Sequence, residues 1–481
     1  MINLRIIARA FSQILIIEGL FMLSAAAVSL IFKEPASPFI YSAIITLVTG
    51  VLVFTPLRNE EHVYSTREGF VIVTGIWLIF SLFSTLPFLF SGSAASFTDA
   101  FFESIAGFTT TNATIFSDID ALPRGILFWR CLIQWLGGIG LVIISFSVLP
   151  VVRTLNIQLS TTEFSLQSGE KINPRIIGTT YRLVMIYVIL TLAEFILLLA
   201  GGMTVYDAIC HSFSTLSTGG FSTRAGGMAA FSSPFIRAVI TVFMFVAGTN
   251  MTIIYFAFKR NFRKVAGSNE FISYLIVCLV FSAAVSLIFL SEPGRPAGKA
   301  IMDGIFHVVS FVTTTGFYTQ DFNTWGSPLI IITIILMFAG GMAGSTTGSI
   351  KTLRFNVIIK NSRHEFRRLI HPNAVIPVRL DKKSVPEGIV YNMLIFVVLW
   401  FVVTCAGAFF ISLMGHDLLT SLSTSASMLG NIGPAIGEFG PFSNYSGIPA
   451  AGKWFFSALM LTGRLELLAV ITLFTRTFYK R

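Results

Sequence analysis

Charge is scarce in this chain: Asp, Glu, Lys and Arg make up 12% of its 481 residues, about half the share found in soluble domains. So few charges cannot coat a fold of this length in water, which excludes a soluble enzyme or binding domain. Cysteine is scarce as well. Cys131, Cys210, Cys278 and Cys405 lie far apart inside apolar segments with no C-x-x-C pair, which argues against a disulfide framework and a zinc site. No helix-length stretch carries an Asp-rich or His–Glu pair of the convergent nucleophile, base or metal-ligand type that a membrane-embedded enzyme requires. The net charge of +10 would suit nucleic acid only if the basic residues shared one surface. They gather instead at Lys259, Arg260, Arg263 and Lys264, between Lys360 and Arg368, at Arg379, Lys382 and Lys383, and at Arg476, Lys480 and Arg481. Few stand in the alternate loops. This is the positive-inside pattern; it excludes a nucleic-acid footprint and puts both termini in the cytoplasm.

What is abundant is apolar sequence. Hydrophobic residues make up 54% and the mean hydropathy is +0.80, so lipid is the solvent for most of the surface. Runs near the length of about 20 residues that a bilayer demands recur throughout, as at Ile40 to Leu57, Phe70 to Phe90, Leu183 to Ala200 and Val390 to Leu413. The first begins at Ile6 behind Arg5 and Arg9, and Ala25, Ala26 and Ala27 resemble a signal-cleavage site. The run is long enough to span, so it reads as a retained helix. The chain is expected in the bacterial inner membrane as a multi-pass protein.

Internal repetition gives the architecture. Asp99 to Asn112, Asp207 to Gly220 and Asp303 to Gly316 align without gaps, each ending in a run of Thr, Ser and Gly; Thr420 to Gly433 is a more diverged fourth copy. Each lies between two long apolar segments. The expected fold is all-α, integral to the membrane: a two-helix extension over 1–64, then four helix–pore-loop–helix repeats over 65–155, 170–265, 269–360 and 384–481, around a central pore. The half-helices are too short to cross and end in residues unsuited to lipid, so they must dip in and return. Irregular backbone at that depth is tolerated only inside protein or beside water. Four such turns about one axis gather backbone carbonyls in a ring that replaces a cation's hydration shell, and each half-helix aims its negative end at the axis. An ion-coupled secondary transporter also has broken helices, but its inverted repeats come as two copies of several helices, not four copies of one small unit.

Two further segments stand out. Ala339-Gly-Gly-Met-Ala-Gly-Ser-Thr-Thr-Gly-Ser349 interrupts the outgoing helix of the third repeat, because each Gly costs about 1 kcal/mol in a helix against Ala. Small residues also let membrane helices pack closely, yet adjacent glycines followed by hydroxyls suit a mobile intramembrane loop below the ring better. Arg464 stands in the apolar span Phe455 to Phe474, where a cation is expensive enough to be a functional candidate. Glu466 is two residues away and would not face it on a helix, so Arg464 is expected to project into the path and to touch the loop.

With Gly219-Gly-Phe-Ser-Thr223, Thr313-Thr-Thr-Gly-Phe317, Ala339 to Gly348, Asn431-Ile-Gly-Pro434 and Gly463-Arg-Leu-Glu466, the chain resembles the TrkH, KtrB and HKT superfamily of potassium transporters, most closely its bacterial TrkH branch, over essentially its whole length. The resemblance implies a K+ filter at Thr110 to Thr114, Thr218 to Ser222, Thr314 to Tyr318 and Ile432 to Ala435. Its core is Thr110, Thr111, Asn112, Thr218, Gly219, Gly220, Thr314, Thr315, Gly316, Asn431, Ile432 and Gly433. It further implies a gate of Gly340, Gly341, Gly344, Ser345, Thr346, Thr347, Gly348 and Arg464, a homodimer with one pore per subunit, and a cytoplasmic TrkA-like nucleotide-binding regulator.

One position departs from the pattern: the first repeat has Asn112 where the others have Gly220, Gly316 and Gly433. Glycine reaches positive φ freely, and Asn enters that region more readily than most residues. Asn112 therefore either tolerates the turn with ordinary selectivity, or alters the coordination so that Na+ passes beside K+ and Rb+. Plant HKT members with a non-glycine residue here tend to be less strict, which favours the second reading.

Glu103, His211 and His307 occupy equivalent places, where Thr424 stands in the fourth copy, and are expected to bond within their own repeats, since positions around an axis are held apart and make no metal site. Asp99, Asp207 and Asp303 read as N-caps. Arg130 and Arg237 read as reaching headgroups or acidic loops. Asp118, Asp120, Asp321 and Glu438 follow the filters, where they either concentrate cations or are ordinary solvated loop residues.

Overall fold

The computed structural model describes residues 3–58, 65–147, 176–371, 376–381 and 383–479. The expected repeat limits within 148–155 and 170–175, and the basic residues Lys382, Lys480 and Arg481, lie outside the described residues. Seven described helices are long and apolar enough to cross a membrane, eight if one bent pair counts as a single span. The chain is an all-α membrane protein; a two-residue-per-strand hairpin, Arg379–Leu380 with Lys383–Ser384, is the exception among the described residues.

Helices Leu4–Ile31 and Ser37–Leu57 form the extension. The first repeat follows with the incoming helix Thr66–Phe83, continued by Leu86–Phe90, the pore helix Phe97–Phe108 and the outgoing helix Arg124–Ser147. Ser65 and Glu68 start it with a reciprocal capping box, which satisfies orphan amides at the helix end. The second has incoming helix Ile176–Ala200, pore helix Val205–Leu216 and an outgoing helix in two pieces, Pro234–Ala247 and Met251–Phe258. The third has Asn269–Leu290, Ala297–Val312, and outgoing pieces Ser327–Phe338 and Thr352–Ile370; the fourth has Glu387–Leu413, Leu418–Leu429, and outgoing pieces Ala450–Arg464 and Leu468–Leu473.

Three outgoing helices are therefore broken, where the sequence reading expected one. In the second repeat the pieces bend by 110° at Gly248, Thr249 and Asn250, and Asn250 caps the second piece through Thr252 N at 2.7 Å. In the fourth, the span Phe455 to Phe474 is interrupted at Leu465 to Leu467, with Glu466 and Leu467 at φ 57 and 40.

The hydroxyl-bearing faces of the pore helices are packed against protein, which is how they escape lipid, while apolar Ile301 and Ile305 of the third stay exposed. In the last, Thr420, Ser421, Ser423, Thr424, Ser425 and Ser427 are all buried. Outward-facing Leu20, Leu52, Val280, Leu287 and Phe409 remain exposed, as a lipid-facing surface requires.

Asp99, Asp207 and Asp303 are not N-caps. Ser96 and Thr204 take that place, accepting from Asp99 N and Asp207 N at 3.1 Å each, and Asp417 caps the fourth pore helix. The third starts earlier, after Pro296, so that Asp303 falls in its second turn. Each Asp instead ties down a cation from an outer loop or a neighbouring helix: Lys453 at 2.5 Å from Asp99, Arg224 at 2.9 Å from Asp207 and Arg295 at 2.8 Å from Asp303.

Candidate ion filter and gate

All four pore helices end alike. The residue just past each helix cap turns left-handed, at Thr110, Thr218 and Thr314 (φ 54 each) and at Asn431 (φ 56). Amides of the turn reach back to the last helical carbonyls, as Thr218 N to Thr215 O at 2.9 Å and Gly219 N to Ser214 O at 2.8 Å. This is a Schellman ending with Thr or Asn where Gly is usual. Positive φ in a β-branched residue is an outlier and costs on the order of 1–3 kcal/mol, a strain that clusters at functional sites.

Two residues on, Gly220, Gly316 and Gly433 also have positive φ, 78, 74 and 102. A methyl on Gly220 would stand 1.9 Å from Thr315 O, one on Gly316 2.2 Å from Ile432 O, and one on Gly433 2.2 Å from the carbonyl carbon of Asn112. The second turn thus abuts the third, the third the fourth, and the fourth the first. Asn112 Cβ lies 3.0 Å from the same methyl position on Gly220. The four predicted filter segments close into one ring of backbone.

Asn112 itself does not turn left-handed: it is absent from the positive-φ residues, contrary to the expectation that it tolerates glycine's conformation. Nothing there demands one, because it is its own backbone that fills the space left by Gly433. Its N–H donates to Ile432 O at 3.3 Å, and its side-chain amide donates across the ring to Gly316 O at 3.0 Å. Two more filter carbonyls accept from side chains: Gly219 O from Gln134 Nε2 at 2.7 Å and Gly433 O from the Tyr445 hydroxyl at 2.8 Å. Thr111 and Thr315 bond to Thr109 and Thr313, at 2.9 and 2.8 Å. On the far side of the ring from the loop lies a cavity of ≈ 60 Å³ whose lining includes Asn112, Gly220, Arg130, Arg224, Tyr318 and Tyr445.

The loop 339–351 packs against the helix-proximal end of the ring and is buried from Gly340 onward. Its ends are zipped together by Gly340 N to Ile350 O at 2.8 Å and Thr352 N to Gly341 O at 2.9 Å. Its apex reaches three repeats: Thr218 Oγ1 donates to Thr346 O at 2.9 Å, Gly348 N donates to Thr314 Oγ1 at 2.9 Å, and Ser349 Oγ donates to Gly430 O at 3.4 Å. Gly344 sits at φ 75 beside Asn250, whose amide donates to Ala343 O. Ser345 and Thr347 share a hydroxyl contact at 2.7 Å. Arg464 Nη1 donates to Thr346 O at 2.6 Å, while its Nε and Nη2 have no hydrogen-bond partner among the described residues. Glu466 does not pair with Arg464; its two oxygens take Lys351 and Arg354, each at 2.6 Å.

The remaining residues fall as follows. Glu103 accepts from Ile115 N at 2.9 Å, His211 bonds Asp207 O at 2.7 Å and Ser222 at 3.0 Å, and His307 bonds Asp303 O at 2.8 Å, all within their own repeats. Among the described residues no group of His, Cys, Asp and Glu is placed to hold a metal ion. Arg130 reaches neither headgroups nor an acidic loop, although its Nη2 donates to Thr114 Oγ1 at 3.1 Å. It is buried against Glu103 at 2.7 Å, because that carboxylate lies on the pore helix directly beside it. Arg237 lies 3.7 Å from Asp303, also a pore-helix residue. Asp118, Asp321 and Glu438 make bonds within their own repeats, to Ala121 N, Asn323 N and His416, whereas Asp120 accepts from Ala225 N in the loop of the second repeat. Gln134, Tyr445 and the Lys351–Glu466–Arg354 cluster were missed. Gln134, a lone amide in an apolar helix, was the one with a local signal.

Comparison with known proteins places this geometry in a family. The TrkH family model, described as a cation transport protein, matches residues 37–291 and 293–479. The Trk system potassium uptake protein TrkH of Halomonas elongata is 36% identical over all of both chains. That of Escherichia coli K12 is 33% identical over 99% of this chain and all of its own. The crystal structure of the potassium transporter TrkH from Vibrio parahaemolyticus superposes with a TM-score of 0.91 at 31% identity, over 99% of this chain and 100% of that one. The family is one of transporters, which sets the enzyme alternative aside. A chain matched over nearly its whole length in sequence and fold, with four pore turns closed into one ring, belongs to the TrkH family of cation transport proteins.

Proposed function

We propose that the chain takes up potassium through the ring formed by Thr110–Asn112, Thr218–Gly220, Thr314–Gly316 and Asn431–Gly433, and that the loop Gly340–Gly348, with Arg464, gates it. What supports this is the ring itself: the four turns abut one another in order, and the buried loop 339–351 packs against one end of it. The names of the relatives support K+ as the ion. Rb+ follows the same path, and Na+ passes measurably because the Asn112 amide holds the Gly316 carbonyl. A carbonyl tethered to an N–H offers a weaker field to the ion, and number and field of carbonyls are what a filter discriminates with.

The reading extends to a homodimer with one pore per subunit, both termini in the cytoplasm, and a TrkA-like regulator on the basic surface around Lys259 to Lys264 and Arg363 to Arg368. A secondary carrier is the runner-up, disfavoured by four copies of one unit about a single axis. The test is K+, Rb+ and Na+ flux in proteoliposomes, for the full chain and for a variant lacking Gly344 to Thr347. The deletion is expected to raise basal flux. A folded deletion variant with unchanged flux refutes the gate, and full-chain flux no faster than a carrier's refutes the open-filter pathway.

A further inference from the structure

The helix break in the fourth repeat grips the gate loop at two points. Arg464 holds the apex through Thr346 O at 2.6 Å. Two residues later Glu466 holds the far end, one oxygen on Lys351 Nζ and the other on Arg354 Nη2, both at 2.6 Å. Lys351 is the last residue of the loop and Arg354 lies in the first turn of the helix Thr352–Ile370 that follows. The Arg354 guanidinium is buried and lies 3.8 Å over the Phe396 ring. Glu466 and Leu467 stand in the left-handed region without being glycine, a conformation that persists only where its surroundings over-determine it. Here the surroundings are those two charge-assisted bonds, the strong class of hydrogen bond.

We propose that Glu466 is a positioning residue for the gate: its carboxylate latches the end of the loop to the fourth repeat, so that the loop stays seated under the ring until the helix Thr352–Ile370 is displaced. This rests on the gating reading above. The sign follows from charge. With Glu466 in place, Lys351 and Arg354 are drawn to a common anion. With a neutral amide there, the two cations face each other and Arg464 across a poorly hydrated space, where like charges repel strongly. The loop then loses its Glu466 tie to the fourth repeat at one end, keeping there the backbone bonds that zip its ends together. The latch also gives the cytoplasmic helix a route to the pore. Lys351 joins the two, and any shift of that helix strains the Glu466 pairs before it reaches the filter contacts.

The test uses the purified full chain in proteoliposomes, with influx of radioactive Rb+ as the readout and size exclusion as the folding check. Glu466→Gln is expected to raise basal influx by about tenfold, equivalent to ~1.4 kcal/mol of gate bias. Glu466→Asp should restore it in part, and the charge-exchanged K351E/E466K should fall well below either single variant, a non-additivity that a merely structural role does not produce. A Ser345→Cys reporter should react faster with a charged thiol reagent in the Glu466→Gln background. If Glu466→Gln does not fold, Lys351→Met removes the other half of the pair and is read in the same way. Influx and reporter rate equal to wild type in Glu466→Gln, while the Gly344 to Thr347 deletion conducts faster, overturns the latch and leaves the gate. No change in either variant overturns the gate and the latch with it.

Discussion

Replacing Asn112 by glycine separates backbone from side chain in the one unusual filter turn. Backbone relief contributes nothing, since Asn112 already has ordinary φ while Gly220, Gly316 and Gly433 do not. What the substitution removes is the amide donating to Gly316 O at 3.0 Å. A neutral hydrogen bond of this kind is worth about 0.5–1.5 kcal/mol net. If that sum is returned to K+ coordination and not to Na+, the K+ over Na+ ratio rises roughly two- to tenfold. Asn112→Ala should give the same gain, since it too deletes the amide and fits the backbone. Gly316→Ser should move the other way, because a Cβ there would meet Ile432 O at 2.2 Å at a φ of 74 and the ring must shift. Bi-ionic reversal potentials or competitive flux on purified protein measure all three. Unchanged ratios in both Asn112 variants refute the argument and make this chain an ordinary potassium-selective member. A gain with glycine alone would show instead that backbone freedom matters.

Arg464→Ala should raise cation flux by at least about tenfold, because a charge a few ångströms from the path opposes a cation by on the order of 2–4 kcal/mol at an effective dielectric near 20. The variant also removes one of the two donors on Thr346 O, leaving Thr218 Oγ1, while Arg464→Lys should stay nearer wild type; a folded alanine variant that is no faster defeats the barrier. Neutralising Lys259, Lys264, Arg363 and Arg367 should abolish capture of a TrkA-like protein in a pull-down, and retained capture would mean that these clusters serve topology and anionic lipid only.

The repeat was legible because its spacing is rigid. An Asp thirteen residues before the last turn residue recurs three times, since the stretch from that Asp to the turn keeps one length even where the third pore helix starts earlier. The cap was misread by three residues, because Ser96 and Thr204 lie outside the aligned block and only their bonds to Asp99 N and Asp207 N identify them. The loop was legible in its crowded glycines and hydroxyls, whereas the break at Leu465 to Leu467 was not. Nothing in Gly463-Arg-Leu-Glu466 disfavours a helix strongly, and the partners that hold it open, Lys351 and Arg354, are more than a hundred residues away in sequence. Asn112 was the instructive error: the reading assigned it the left-handed turn because glycine stands there in the other copies. In the folded chain the first repeat keeps the left-handed turn at Thr110 that all four copies share and lacks the second one, which the other three make at glycine.

Those strained residues connect filter and gate. Thr110, Thr218, Thr314 and Asn431 stand at the end of the ring nearest the loop, each contributing a side-chain oxygen at an equivalent place. Thr218 Oγ1 donates to the loop carbonyl of Thr346, and Thr314 Oγ1 accepts from Gly348 N. Thr110 Oγ1 and Asn431 Oδ1 have no partner among the described residues. The loop therefore engages half of this polar ring in the very bonds that seat it. If the loop leaves, the Thr218 and Thr314 hydroxyls lose these partners and become free to turn toward an arriving cation. Under the gating reading, opening removes an obstruction and completes a coordination site in one step, and a cation at that site competes directly with the loop for the Thr218 and Thr314 hydroxyls.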